Sequence, residues 1–129
     1  MDRLPLTILH VPSELGGAKC RELAQETRKV IIEALGVQPI RVKVLVYQTP
    51  AEYRAVHEER DSRFVLAEVM LFQGRPRELK DRLLRELSGL IMRHTGLTPD
   101  NVFVCLQESP RQNWGIMGGT PADQADLGY

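Results

Sequence analysis

The sequence has few of the features that mark secreted, membrane-bound or metal-binding proteins. It contains only two cysteines, Cys20 and Cys105, without metal-ligand spacing, so we expect both to be buried reduced thiols. No apolar run reaches the length of a membrane-spanning helix, and the first residues do not resemble a secretory signal. These absences predict a cytoplasmic protein with no membrane partner.

An excess of charge of one sign is also missing. Lys plus Arg number 17 and Asp plus Glu number 17, so no net field attracts a phosphate backbone or an anionic lipid surface. We therefore expect no nucleic-acid partner. A chain of 129 residues with 43% hydrophobic content fits one domain with a modest core, and we expect a single domain over residues 1–129.

The strongest pattern that is present is a repeat at an offset of 60 residues. The recurring residues are glycines, prolines and valines: Gly36, Pro39, Val42, Val44 and Pro50 return as Gly96, Pro99, Val102, Val104 and Pro110. Two copies of one small unit are therefore fused head to tail. Repeat one covers about 4–50, a connection about 51–62, repeat two about 63–119, and a C-terminal tail 120–129.

Each repeat has the pattern of a strand, an amphipathic helix and a second strand. The strands are expected at about 4–11, 40–48, 64–72 and 101–108. Apolar residues spaced by three and four predict the helices, which Gly36 and Gly96 should end. The connection should begin with a short helix, with Pro50 at its first position and Thr49 as its cap.

A strand-helix-strand unit of this length joins parallel strands. The sequence therefore predicts an α/β fold of two fused β-α-β units, with a four-stranded, mainly parallel sheet and two helices on one face. The other face would carry His10, Arg41, Lys43, Tyr47, Glu68, Phe103, Cys105 and Gln107. This mixture is too apolar for solvent and too polar for a core, which favours an oligomer interface.

Three segments resemble the 4-oxalocrotonate tautomerase family. They are Pro-Leu-Thr-Ile-Leu-His-Val at 5–11, Phe-Gln-Gly-Arg-Pro-Arg-Glu-Leu-Lys at 72–80, and Trp-Gly-Ile-Met-Gly-Gly at 114–119. With the duplication, they are similar to the fused-repeat branch that contains malonate semialdehyde decarboxylase and cis-3-chloroacrylic acid dehalogenase. The resemblance implies a tautomerase fold, a homotrimer and a small carboxylate or oxo-acid as ligand. We expect no cofactor and no metal ion.

The resemblance also implies a catalytic N-terminal proline, whose amine acts as a base or an acid. Pro5 occupies the aligned position, but Met1 to Leu4 precede it, so its nitrogen lies in a peptide bond. Only cleavage after Leu4 would free that amine. We therefore interpret Pro5 as an ordinary edge-strand residue. The acid that decarboxylating relatives place before the second strand is also missing, because 36–41 contains no carboxylate.

Arg75 and Arg77 lie where a strand ends and a helix begins, a position where guanidinium charge and helix N–H groups favour an anion. The resemblance implies that Arg75 binds the carboxylate of a substrate. The alternative is that both are solvated arginines or pair with Glu78 and Asp81.

Three further side chains are candidates. Trp114 lies in a glycine-rich hairpin, where it forms either the apolar wall of a pocket or a packing anchor at a subunit contact. Glu68 is a carboxylate inside an apolar strand, so it is either paired, with Arg41 or Lys43 as partner, or a general acid or base. His10 is a base or, more simply, a buried or interfacial strand residue.

Two functions remain open from the sequence. The first is an isomerase or lyase that transfers protons without the proline; Arg75 and Glu68 would be catalytic, and Arg75, Arg77 and Trp114 would hold the substrate. The Met1 amine and Asp2 are further candidates for the proton-transfer group. The second is a ligand-binding or structural trimer that kept the scaffold and lost catalysis.

Overall fold

The computed structural model describes residues 4–125, and its main element is a four-stranded sheet. The strands are β1 (Leu6–Pro12), β2 (Lys43–Thr49), β3 (Val65–Phe72) and β4 (Val102–Ser109), in the order β2-β1-β3-β4. β1 is parallel to β2 and β3 is parallel to β4, whereas β1 and β3 are antiparallel. Two β-α-β units therefore join side by side, and the predicted mainly parallel sheet is confirmed.

Helices α1 (Gly17–Leu35) and α2 (Arg77–Thr95) begin and end 60 residues apart. Each ends at a glycine with left-handed backbone, Gly36 at φ 65° and Gly96 at φ 73°, as predicted. Neither helix of the described chain is apolar enough over sufficient length to cross a membrane.

The core lies between the sheet and the two helices, which pack on the same face. Alternate strand residues point into it, and each helix contributes the stripe that its apolar spacing predicts. The fully buried members are Leu9, Val11, Leu23, Ile31, Val65, Ala67, Val69, Leu71, Leu83, Leu87 and Ile91. The predicted placement of both helices on one face is confirmed.

The opposite side of the sheet, here called the outer face, carries the other alternate residues. Tyr47 and Phe103 are half exposed on it, at 51% and 52%. Cys105 is exposed on the same face and Cys20 is half-buried, so the prediction of two buried thiols is wrong for this chain by itself. Cys105 is on the outer face, as predicted, but within residues 4–125 no other element covers it there.

Strand β2 begins later than predicted, and Arg41 lies before it rather than on its outer face. Pro39–Arg41 form a short 3-10 turn. The Arg28 guanidinium donates to the carbonyl oxygens of Pro39 and Val42, the second at 3.0 Å. This side-chain bonding from α1 holds the turn, so pairing with β1 begins only at Lys43.

The connection between the repeats does begin with one short helix, the 3-10 turn Ala51–Tyr53, but its cap differs from the prediction. Pro50 has extended backbone and occupies the cap position itself. The Thr49 hydroxyl accepts instead a hydrogen bond from Arg54 Nε at 2.8 Å. Thr49 therefore helps to hold the connection against β2 rather than starting a helix.

A short hairpin after β4 covers one end of the outer face. Its strands, β5 (Gly115–Ile116) and β6 (Thr120–Pro121), are joined by a tight turn in which Met117 has φ 50° and Gly118 φ 82°. Beneath it lies a second, smaller cluster of buried residues: Leu4, Phe72 and Ala122, with Leu6, Trp114 and Ile116 packed against them. The residue before Pro5 is thus part of the folded structure.

Thr27 gives a test of the main core. Its side chain is fully buried, and its hydroxyl has no hydrogen-bond partner within residues 4–125. Because an unsatisfied buried hydroxyl costs free energy, Thr27→Val should raise the free energy of unfolding by about 1 kcal/mol, measured by urea unfolding. Thr95→Val is the control and should lower the free energy of unfolding, because the Thr95 hydroxyl donates a hydrogen bond to the Ile91 carbonyl oxygen at 2.7 Å. A destabilised Thr27→Val protein would contradict this account.

Leu4 tests the smaller cluster. Its side chain is 5% exposed, so Leu4→Ala should leave a cavity and lower the free energy of unfolding by about 2–4 kcal/mol. Ile40 is 77% exposed, and Ile40→Ala should change stability by less than about 0.5 kcal/mol. Chemical denaturation of both variants measures the difference. Equal, small effects would show that Leu4 does not belong to a packed cluster.

Candidate functional site

Phe72, the last residue of β3, lies at the centre of the candidate site. Its side chain is on the outer face but fully buried, because the hairpin folds over it. The Trp114 and Phe72 rings meet edge to face with centroids 6.4 Å apart. Trp114 Nε1 donates to the Ser109 hydroxyl, which fixes the indole over the end of the sheet.

Two arginine side chains reach Phe72 from different loops. Arg75 Nη1 donates to the Phe72 carbonyl oxygen at 3.4 Å. Arg111, in the 3-10 turn after β4, places its Cζ 5.1 Å from the centroid of the Phe72 ring. We call the group formed by Leu4, Phe72, Arg75, Arg111 and Trp114 the Phe72 corner.

The Phe72 corner combines positive charge with apolar walls. A guanidinium group can bind a carboxylate with two parallel hydrogen bonds, and nearby aromatic rings strengthen that attraction by lowering the local dielectric. Of the residues selected from the sequence, Arg75 and Trp114 are brought together here. The arrangement suits a small organic anion.

Sequence reasoning missed Arg111. A signal was present, because Arg111 lies three residues before Trp114 and its counterpart in the first repeat is Ala51. The cation therefore occurs only in the copy that also carries the tryptophan. Comparison of the two repeats for unmatched charges would have identified it.

Arg77 lies elsewhere. Its side chain is 87% exposed and its Nε is 3.5 Å from Asp81 Oδ2, one helical turn along α2. It lines a groove with Cys105 and Glu108 at the edge of β4 rather than a wall beside Phe72. This is the surface ion pair that was the alternative for Arg77 in the sequence, and exposed pairs of this kind contribute little to stability.

Glu68 lies in the middle of β3 and is paired, but not with the residues expected from the sequence. Its Oε2 is 2.9 Å from His10 Nε2, and its Oε1 accepts from Gln107 Nε2 at 3.2 Å. The hydrogen bond from His10 is the main reason that the pKa of the Glu68 carboxyl lies below its usual range. Lys43 on β2 lies opposite Leu6 of β1, whereas Glu68 lies opposite Ile8. This difference in register explains why Lys43 is not the partner.

The positions of Glu68 and the Phe72 corner along β3 separate them. Phe72, at the end of the strand, is four residues after Glu68, a separation of about 13 Å at about 3.3 Å per residue. Within one chain, the two selected catalytic residues, Arg75 and Glu68, therefore belong to different parts of the outer face.

Pro5 is buried and lies immediately before β1, and its carbonyl oxygen accepts from the Lys43 N–H at 3.5 Å. Because β1 is a central strand, the interpretation of Pro5 as an edge-strand residue is wrong. Its nitrogen is joined to Leu4, whose side chain forms part of the Phe72 corner. An amide nitrogen has no lone pair available to take up a proton near neutral pH. Met1 and Asp2, the other candidates at this end, lie outside the described residues.

Residues that bind metal ions do not gather in the part of the chain that the structure describes. Within residues 4–125, no group of three or more His, Cys, Asp and Glu side chains is close enough to hold an ion.

Comparison with known proteins places this chain in a family. The family model described as tautomerase enzyme matches residues 45–117. The 2-hydroxymuconate tautomerase of Pseudomonas putida is 35% identical over 52 residues, which are 40% of this chain and 82% of that protein.

Solved structures show the same fold. A wild-type fused 4-OT, Q0, described as a symmetric trimer, superposes with a TM-score of 0.84 at 24% identity, over 92% of this chain and 97% of that one. A malonate semialdehyde decarboxylase superposes with a TM-score of 0.73 at 24% identity, over 91% and 94%. The predicted tautomerase fold is confirmed, and the chain belongs to the tautomerase enzyme family.

Proposed function

We propose that the protein is an isomerase or lyase-type enzyme that binds a small carboxylate or oxo-acid at the Phe72 corner and promotes proton transfer there. The observation that carries this proposal is the approach of two guanidinium groups, from Arg75 and Arg111, to one aromatic residue. The names of the related proteins refer to 2-hydroxymuconate and malonate semialdehyde, and both compounds are small carboxylates.

Electrostatic stabilisation is the main catalytic contribution that this site can make. One guanidinium would bind the carboxylate of the substrate, and the other would stabilise the negative charge that develops on the neighbouring oxygen as a proton leaves carbon. The Phe72 and Trp114 rings strengthen both interactions because they exclude water from one side.

The proposed proton transfer does not use the proline. The Pro5 nitrogen is bonded to Leu4, and burial of the Leu4 side chain supports a chain that keeps this segment in place. The proton-transfer group would then be another residue: the Met1 amine or Asp2 of the same chain, or Glu68 of another copy in the trimer proposed below.

A second candidate function is ligand binding without turnover. The same packing of Leu4 against Phe72 favours it, because an apolar side chain occupies the space next to the proline nitrogen. Arg75 and Arg111 would then hold a carboxylate as a regulatory or structural ligand.

Deuterium exchange separates these candidates. In D₂O, the full-length protein should catalyse exchange of the C3 hydrogens of pyruvate for deuterium. The loss of the C3 proton signal is monitored by proton NMR. Arg75→Ala should lower the rate by about 10²-fold, because the charge that stabilises the transition state is lost. Among the described residues, Arg82 forms a surface ion pair with Glu86 alone, so Arg82→Ala is the matched control and should retain the wild-type rate.

The other results are also informative. Saturable binding of pyruvate without exchange would favour the non-catalytic candidate. Exchange at the wild-type rate in the Arg75→Ala protein would contradict both candidates, because the first makes Arg75 part of the catalytic site and the second predicts no exchange.

We also propose that the chain forms a homotrimer through the outer face. Leu45, Tyr47 and Phe103 are exposed on this face, which supports burial against other copies, and the fused 4-OT relative is described as a trimer. Light scattering coupled to size-exclusion chromatography should give three times the chain mass. Phe103→Asp should shift the measured mass toward that of a single chain. Gln25→Asp, on the exposed side of α1, should leave the mass unchanged. A trimer unaffected by Phe103→Asp would place the interface elsewhere.

A further inference from the structure

A second concave region lies at the other end of the outer face from the Phe72 corner, and in the trimer proposed above it would border the contact between copies. It has a volume of about 450 Å³, and its walls include His10, Thr49, Tyr53, Arg54, Phe64 and Glu68. We call this region the His10 cleft.

The internal repeat relates the His10 cleft to the Phe72 corner. At an offset of 60 residues, Arg54 corresponds to Trp114 and Thr49 to Ser109. The same hydrogen bond is present in both, from Arg54 Nε to the Thr49 hydroxyl and from Trp114 Nε1 to the Ser109 hydroxyl. The cleft is therefore built on the same framework as the candidate site.

The ionisable residues of the cleft have no counterparts at the Phe72 corner. His10 corresponds to Met70, and Glu68 corresponds to Ile8. A half-buried histidine-carboxylate pair thus replaces two apolar side chains at equivalent positions. Because the apolar version is compatible with the same sheet, the framework alone does not require the pair.

The contacts of His10 prepare one ring nitrogen to accept a proton. Glu68 Oε2 lies 2.9 Å from Nε2, and an ionised carboxylate only accepts, so Nε2 carries the hydrogen and Nδ1 carries the lone pair. The Tyr47 ring stacks on the imidazole at 5.9 Å and 23°, which restrains its orientation. Gln107 in turn bonds Glu68 Oε1 at 3.2 Å.

Arg54 supplies positive charge in the same cleft. Its Nε bonds the Thr49 hydroxyl, and its Nη1 bonds the carbonyl oxygens of Ser62 and Phe64 at 2.9 and 2.5 Å. These hydrogen-bond partners are all uncharged, and Nη2 bonds none of the described residues. The Glu14 carboxylate attracts the guanidinium electrostatically without a hydrogen bond. The guanidinium also lies over the Phe64 ring, with Cζ 4.4 Å from its centroid. A rigidly held guanidinium with uncharged hydrogen-bond partners is suited to an anionic ligand.

We propose that the His10 cleft is a second ligand site, where Arg54 binds the carboxylate of a small 2-oxo acid and His10 Nδ1 is the proton acceptor. The C–H bond next to the ketone breaks, its proton moves to Nδ1, and its electron pair forms the enolate. The imidazolium then returns a proton to carbon, so no other reactant is needed. Glu68 is a positioning residue, since it holds the imidazole in the required tautomer. The site does not depend on ligand binding at the Phe72 corner.

Binding is tested by NMR of the full-length protein with ¹³C-labelled histidine rings. The three histidines, His10, His57 and His94, are assigned with single His→Gln variants. Pyruvate should shift the His10 signal saturably and leave the His94 signal in place. Arg54→Lys should weaken this binding about tenfold, because it keeps the charge but loses the planar donor pair. Arg75→Ala should leave the response of the His10 signal to pyruvate unchanged.

Catalysis is tested in the Arg75→Ala background, where the Phe72 corner no longer contributes. The remaining deuterium exchange of pyruvate should be lost with His10→Gln. Glu68→Gln should lower its maximal rate about tenfold with little change in the pyruvate concentration at half-saturation. Thermal unfolding of the Arg54→Lys variant shows whether it folds. If it does not fold, the Glu68→Gln variant is sufficient to test the proposal.

Different results would contradict the two proposed sites. A His10 signal that pyruvate does not shift, or a shift that disappears in Arg75→Ala, would overturn the second site and leave the Phe72 corner proposal untouched. Exchange in the Arg75→Ala background that survives His10→Gln would also overturn it. A wild-type rate unaffected by Arg75→Ala would instead count against the Phe72 corner.

Discussion

The antiparallel pairing of β1 with β3 is the constraint on which the rest of the structure depends. Leu6 lies opposite Met70 and His10 opposite Leu66, so each strand begins beside the end of the other. The segment before β1 therefore meets the loop after β3, which brings Leu4 to Phe72 and Arg75. The same pairing, read from the other end, brings His10 to Phe64 and Arg54.

The two ends of the outer face share a framework and differ in chemistry. In each, a side chain from the segment after an edge strand donates to a hydroxyl at the end of that strand. At one end this side chain is an indole above apolar residues and two arginines. At the other it is a guanidinium beside a histidine and a carboxylate. A duplicated unit can vary its side chains in this way because strand pairing is made by backbone groups, which any residue except proline supplies in full.

Much of the fold could be predicted because its signals are local. Apolar spacing located both helices, and Gly36 and Gly96 ended them, since their left-handed backbone suits glycine. The start of β2 was missed because it depends on a contact from another element. Arg28 donates a hydrogen bond to the carbonyl oxygen of Val42, fourteen residues later in the chain. The partner of Glu68 was missed for a similar reason: the choice among His10, Arg41 and Lys43 depends on strand register, which no single segment encodes.

By itself, the sequence determined the duplicated β-α-β pattern and the apolar stripes of the two helices, because each depends on residues close together in the chain. Only the tertiary structure decided that Arg111 joins Arg75 at Phe72 and that Glu68 bonds His10. It also decided that Leu4 is buried beneath the hairpin. These contacts join residues from different strands and loops, and their distances follow from the way the sheet and hairpin pack rather than from separation along the chain.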